Sequence, residues 1–207
     1  LAPESKLSKA KKGLEKNGFS VDIANSKEEL YNKLTPLVAD LKTAGFGGSV
    51  TTRALGLTEL CKSLGLEVFD HWENNLTSDQ IEQIRHAHLS CDVFFTSAQA
   101  VTLTGEIVSM DGIGNRVAAT IFGPKRVIIV CGKNKIVDDL DAAFERIKKV
   151  AAPMRAKSLD SPLPCAKTGE CNDCDSPVRI CRVAIIMYRP PLQTEMKIFL
   201  VNEELGY

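Results

Sequence analysis

Leu7, Ala10 and Leu14 recur at helical spacing in a Lys-rich stretch, which predicts a leading amphipathic helix over 4–17 that ends at Asn17-Gly18. Apolar and polar residues then alternate over Phe19–Ala24, as in a short strand. Ser26 and Glu29 form a capping-box pattern for a helix reaching about Leu41, with Pro36 as a kink or an early break. Gly45–Ser49 reads as a loop, followed by a helix near Arg53–Leu64 and a strand at Leu66–Phe69. Thr77 and Gln80 repeat the capping signature and start a helix to about Leu89.

Asp92–Thr96 and Val127–Val130 are unbroken apolar runs of strand length, expected to be buried on both faces. Gly105–Asp111 alternates as a strand and runs into the Gly-rich turn Asp111–Asn115; Val117–Phe122 is an apolar segment closed by Gly123-Pro124. Leu140, Phe144, Ile147 and Val150 predict a helix over 137–151, with a boundary near 152–161. Residues 160–182 are rich in Pro, Gly, Asp and Ser and show no periodicity, and Val183–Tyr188 with Lys197–Val201 predict a hairpin around Pro190-Pro191. Strands alternating with helices imply an α/β layered domain with a largely parallel sheet. The expected organisation is one domain over 1–207: a core over 19–151, a cysteine-rich segment over 160–182 and terminal strands over 183–201.

Composition narrows the partners. Lys+Arg and Asp+Glu are each 26 in the 207 residues, so the formal net charge is zero. Nucleic acid and anionic membrane both demand a basic excess, and neither is expected as a partner. Weak net repulsion permits a homo-oligomer or a complex. The longest apolar stretches are strand-sized, so no membrane span is expected. The Lys-rich start lacks the apolar region of a secretory signal, and an odd number of cysteines, 7, does not suggest a disulfide scaffold. A reducing cytoplasm is the expected compartment.

Four segments could carry chemistry. Gly47, Gly48, Ser49 and Thr51 enter a helix and could cradle an anion, or simply cap a tight turn. Ser97, Thr104 and Glu106 follow a buried strand at the edge where open α/β sheets place ligands. Glu106 could serve as base or nucleophile, or could be a solvated edge residue. Asp111, Asn115 and Arg116 surround two glycines and could grip a carboxylate or phosphate, or form a turn with an Asp–Arg pair. Cys165, Cys171, Cys174 and Cys181 are spaced C-x5-C-x2-C-x6-C. Thiolates at that spacing suit an iron–sulfur cluster or Zn²⁺, and left metal-free they would be redox-active thiols. His71, His86 and His88 show no metal-ligand spacing and read as surface or packing residues, and Trp72 has no assigned role.

The run Asp92–Val130 resembles the core of the LUD domain, the lactate-utilisation family. The likeness is carried by Asp92-Val93-Phe94-Phe95-Thr96-Ser97-Ala98, by Thr104-Gly105-Glu106-Ile107-Val108, by Asp111-Gly112-Ile113-Gly114-Asn115-Arg116 and by Phe122-Gly123-Pro124-Lys125-Arg126 with the strand after it. Gly47–Thr51, the segment Pro164–Pro177 and the ending Val201–Tyr207 are similar to stand-alone members from anaerobic bacteria. The resemblance implies a Rossmann-like sheet of the sugar-phosphate isomerase and CoA-transferase kind, and a role around oxidation of lactate to pyruvate beside iron–sulfur subunits. The chain lacks the tandem C-x2-C-x2-C-x3-C-P motifs of the large iron–sulfur subunit, so dehydrogenase activity of its own is not implied.

Three functions follow. The first is a LUD protein binding a small anionic metabolite and carrying a four-cysteine metal centre. The second is a non-enzymatic accessory or redox subunit of a dehydrogenase or iron–sulfur partner protein. The third is an isomerase-like or acyl-transferase-like enzyme using Glu106.

Overall fold

The computed structural model describes residues 4–207, and the first three positions of the expected domain lie outside the described residues. Helix α1 (Lys6–Lys16) is capped by Ser5, whose hydroxyl accepts from the Ser8 N–H. Then come β1 (Ser20–Ala24), α2 (Lys27–Val38) and β2 (Thr43–Phe46). Ser26 caps α2 as expected, but the helix stops at Val38, two residues after Pro36 and short of Leu41. A proline in the last turn cannot donate to the carbonyl one turn back, which weakens the helix end.

Gly45-Phe46, expected in a loop, belongs to β2. A side chain at Gly45 would come within 2.9 Å of the Cys91 sulfur, so the glycine is there for close packing. The helix expected near 53–64 is two, α3 (Val50–Ala54) and α4 (Leu57–Ser63), broken at Gly56, whose φ of 66° lies in the left-handed region. The chain continues through β3 (Glu67–Asp70) and α5 (Ser78–Ala87), where the Thr77/Gln80 capping box forms in both directions. Next are β4 (Val93–Thr96), β5 (Ala100–Thr102), β6 (Ile107–Asp111), α6 (Asn115–Ile121) and β7 (Arg126–Gly132). The apolar segment near 117–122 is therefore a helix.

After β8 (Ile136–Val137), α7 (Leu140–Arg146) passes through a π-helical turn at Ile147–Ala151 into α8 (Ala152–Ser158). The helical run thus crosses the expected boundary near 152. Pro153 removes one backbone donor, and the change to π spacing falls directly before it. The short α9 (Pro164–Thr168) opens the cysteine segment, and β9 (Val183–Met187) and β10 (Glu195–Val201) close the chain.

Two sheets result: a six-stranded parallel sheet in the order β1-β10-β7-β4-β2-β3 and a four-stranded mixed sheet in the order β8-β5-β6-β9. This is an α/β fold, and it overturns the expected hairpin. β9 pairs antiparallel with β6 at the edge of the second sheet, whereas β10 lies between β1 and β7 in the first. The reason is burial. Ile198, Phe199, Leu200 and Val201 are all buried, so β10 needs cover on both faces and both edges. Val183 and Ala184 are exposed, as suits an edge strand. The core accordingly draws on both ends of the chain and is not confined to 19–151.

Alternation along the central strands divides the core into two. Phe94, Val127 and Ile129 join α1 residues Leu7 and Leu14 on one face, together with Val101 and Ile107 of the second sheet. Phe95, Ile128 and Val130 join Leu30 and Leu34 of α2 and Leu57 of α4 on the other. Phe46 and Phe95 stack there with ring centroids 4.8 Å apart.

Helix α1 docks on the β5–β6 turn by close backbone approach. A side chain at Gly13 would fall 2.3 Å from the Leu103 carbonyl oxygen, and Gly105 opposite has φ 97°. Asn17 Nδ2 donates to the Thr104 and Gly105 carbonyls at 3.1 and 2.9 Å. Two opposing effects meet at Gly13. Replacing a helix-interior glycine by alanine gains about 1 kcal/mol in propensity, while overpacking a tight contact costs about 1–3 kcal/mol. Contact wins here, so Gly13→Ala is expected to lower the urea midpoint, and a raised midpoint would contradict this docking.

Candidate functional site

In a parallel sheet all carboxyl ends lie along one edge, and the segments that leave them meet there. Gly48, Ser49 and Thr51 follow β2, His71 and Trp72 follow β3, Ser97 and Gln99 follow β4, Lys135 follows β7 and Tyr207 follows β10. With Asp111 at the end of β6, Asn115 and Arg116 of α6, Arg85 of α5 and Arg155 of α8, they line one cavity of about 230 Å³. That is below the ~300–1,000 Å³ typical of drug-sized sites and suits a small metabolite.

The lining is strongly cationic. Arg85, Arg116, Lys135 and Arg155 line the cavity, with Asp111 the single carboxylate side chain among the described lining residues. The chain as a whole is charge-balanced, so this is a concentration of positive charge in one place.

Lys135 is 3% exposed, and its Nζ donates to Thr51 Oγ1 at 2.8 Å and to Ser97 Oγ at 2.9 Å. The Thr51 hydroxyl in turn donates to the Leu205 carbonyl at 3.2 Å. Burial pushes the Lys135 amine down to about 8; Cys131 opposes this and Arg146 and Arg116 add to it. Arg146 braces the turn that carries Lys135, donating to the Asn134 carbonyl at 2.9 Å and the Gln99 carbonyl at 2.6 Å. Asn134 in turn holds the C-terminal tail through the Leu205 N–H and the Gly206 carbonyl.

Arg116 commits part of its donor fork to the Ser97 and Met110 carbonyls and lies 3.7 Å from Asp111. Asp111 is itself occupied with the Gly112 and Val117 N–H groups at 2.7 and 3.2 Å. The expected bidentate grip of Arg116 on a ligand is thus reduced to its remaining donors and its charge. Two guanidinium groups lie over the Trp72 ring, Arg53 at 4.7 Å and Arg155 at 4.8 Å from its centroid. Arg53 is paired with both oxygens of the buried Asp70. His71 is pushed down to about 4 by burial and then by Arg85 and Arg53, so it is neutral at pH 7. Its Nδ1 and the Nε of Arg85 are buried without a hydrogen-bond partner.

Of the residues singled out in the sequence, Gly48, Ser49, Thr51, Ser97, Asp111, Asn115, Arg116 and Cys181 reach this cavity. Gly47 stands just behind it, where a side chain would come within 2.9 Å of both Arg116 and Phe94. Thr104 and Glu106 do not reach it. They sit at the other end of β6 from Asp111, where Glu106 Oε2 accepts from the Thr102 and Thr104 hydroxyls in the turn that receives α1. Lys135, Arg155, Arg85, Trp72 and His71 were not foreseen. Lys135 alone carried a signal, because it follows the buried strand β7 at the same edge that singled out Ser97. His88, by contrast, is a packing residue, fully buried and 3.1 Å from the Phe69 carbonyl through Nε2.

The cysteine segment borders the cavity through Ile180 and Cys181. Arg179 laces it together, donating to the Cys181 and Cys174 carbonyls at 2.8 and 3.1 Å and to Asp173 at 2.8 Å. Burial, then Cys171 and Cys174, push the Cys165 thiol up; burial, then Cys171, do the same for Cys181. As arranged, the four cysteines do not make a ligand shell, since among the described residues no three His, Cys, Asp or Glu side chains are grouped to hold a metal ion. Nor is any described helix long and apolar enough to cross a membrane.

Fold and site together define an α/β protein with a small cationic cavity at the carboxyl edge of its parallel sheet. The LUD domain model matches residues 7–201, and the chain belongs to that family, which is associated with lactate utilisation. The crystal structure of a DUF162 family protein from Deinococcus radiodurans shares the fold. Its TM-score is 0.55 at 14% identity, over 96% of this chain and 99% of that one. No curated protein matches the sequence.

Because Glu106 lies outside the cavity, Glu106→Gln is expected to leave anion binding there within about twofold, as for other substitutions remote from a site. A tenfold loss in a calorimetric titration would return Glu106 to the site.

Proposed function

We propose that this protein binds a small carboxylate or phosphorylated metabolite in the cavity at the sheet edge, in the context of lactate and pyruvate oxidation. The observation that carries the reading is the set of four cations facing one carboxylate in a chain of zero net charge. Lys135 and Arg155 supply charge and donors, Arg116 adds charge, and Arg85 and His71 line the same cavity. The sugar-phosphate isomerase and CoA-transferase kind of sheet belongs to the same reading, since six parallel strands deliver these groups to one edge.

Trp72 is the chain's single tryptophan and sits on the cavity wall, so its emission reports occupancy. Titration with phosphate, oxalate, lactate and pyruvate is expected to give a saturable change for at least one of them. Arg155→Ala is expected to weaken that binding about tenfold or more, the worth of a charge-assisted hydrogen bond. The free Lys135 amine loses its proton near pH 8, so affinity falls as pH rises through about 8. No saturable response to any of the four anions, by fluorescence or calorimetry, would refute the reading.

A metal centre on the four cysteines, iron–sulfur or zinc, is proposed on the C-x5-C-x2-C-x6-C spacing and on the upward push that Cys171 exerts on the Cys165 and Cys181 thiols beside that of burial. With Cys181 on the cavity wall, it would also suit an accessory role beside a dehydrogenase or iron–sulfur partner in the cytoplasm. Metal and acid-labile sulfide analysis of anaerobically purified protein is expected to find iron and sulfide together, lost in Cys174→Ser. Zinc alone would make the segment a structural clip, and no bound metal would leave the four as free thiols.

A further inference from the structure

We propose that Lys135 is a nucleophilic amine that condenses with the carbonyl of an anionic aldehyde or 2-oxo carboxylate held in the cavity. The inference rests on the anion-binding reading of the same site and adds a covalent step to it.

The first ground is the company Lys135 keeps. A buried lysine is ordinarily paired with a carboxylate. Lys135 forms no ion pair among the described residues, and its Nζ is held only by the neutral hydroxyls of Thr51 and Ser97. An apolar side chain could fill the same space without the cost of burying a charge. The second ground is position. Lys135 lines a cavity whose arginines, Arg116 and Arg155, can hold the anionic end of a ligand and leave its carbonyl to the amine. The third is reactivity. Burial, with Arg146 and Arg116 adding to it, brings the amine to about 8, so about a tenth of it is neutral at pH 7. Desolvation and neighbouring cations are the usual means of activating a lysine nucleophile.

The step balances without an oxidant or reductant. The neutral nitrogen's electron pair attacks the carbonyl carbon, and the C=O π pair moves onto oxygen, which takes a proton. The nitrogen proton leaves through the Thr51 or Ser97 hydroxyl to water. Loss of water from the carbinolamine then forms the C=N bond, so amine and carbonyl give imine and water. Thr51 and Ser97 are positioning residues here, since they fix the direction of Nζ.

The test uses the full chain without substitution. The protein is incubated with pyruvate or glyoxylate and sodium cyanoborohydride, which reduces C=N to a stable secondary amine, and peptides are mapped by mass spectrometry. Lys135 is expected to carry about tenfold or more label than any exposed lysine. The labelling should fall on addition of inorganic phosphate and be absent with neutral acetone. Label spread over surface lysines with Lys135 unmodified would overturn the inference. If the Trp72 titration shows anion binding while Lys135 stays unlabelled, the covalent step fails and the anion site stands. If both are absent, both fall.

Discussion

Burial of β7 and β4 on both faces is the constraint on which the rest depends. Val127, Ile128, Ile129 and Val130 are each 1% exposed or less, and they divide by alternation between two cores. A strand covered above and below can be satisfied at its edges only by further strands, and the parallel neighbours β10 and β2 follow from this. Parallel pairing then sends every carboxyl end to the same edge. The loops after β2, β3, β4 and β7, and the tail after β10, meet because the strands cannot do otherwise.

Electrostatics at that edge follow from the same packing. Lys135 lies in the turn directly after β7 and is carried into the protein by it, and Thr51 and Ser97 meet its amine from the segments after β2 and β4. Arg146 and Asn134 tie that turn to the tail, so the amine's position is set by contacts of its neighbours as much as by its own. Removing an amine from water without a carboxylate partner costs free energy. The two hydroxyls offset part of that cost and leave the amine's charge facing the cavity. A likeness in fold to the Deinococcus protein at 14% identity shows how little of the sequence such an architecture prescribes.

The Thr104-Gly105-Glu106 segment gains a structural explanation. Its glycine faces Gly13 across a gap with no room for a side chain, its main-chain carbonyls receive Asn17, and Glu106 holds the turn through two threonine hydroxyls. The turn is the seat of α1 on the second sheet. The cysteine segment has a different character. It is laced by Arg179 and hydrogen-bonded to the π-helical turn through the Cys171 N–H and the Lys148 carbonyl, at 3.1 Å. A register change in α7–α8 and the cysteine segment are therefore mechanically linked at the cavity wall.

Local signals were legible wherever local physics decides. The caps at Ser26 and Thr77, the amphipathic α1 and the apolar runs of β4 and β7 all formed, because capping, periodicity and burial act over a few neighbouring residues. Ser97 likewise lies at the carboxyl end of its buried strand, where it lines the cavity. Sheet membership was different. β9 and β10 read alike as strands, and only the cover available on each face sent one to an edge and the other to the interior of another sheet. Glu106 and Asp111 sit at opposite ends of one strand, so closeness in sequence said nothing about sharing a cavity. Lys135, Arg155 and Trp72 are far apart along the chain, and the crossovers of a parallel sheet brought them together. The sequence alone determined most of the elements and the α/β class; tertiary packing decided which charges share a cavity, because that depends on strand order, which no short stretch of residues encodes.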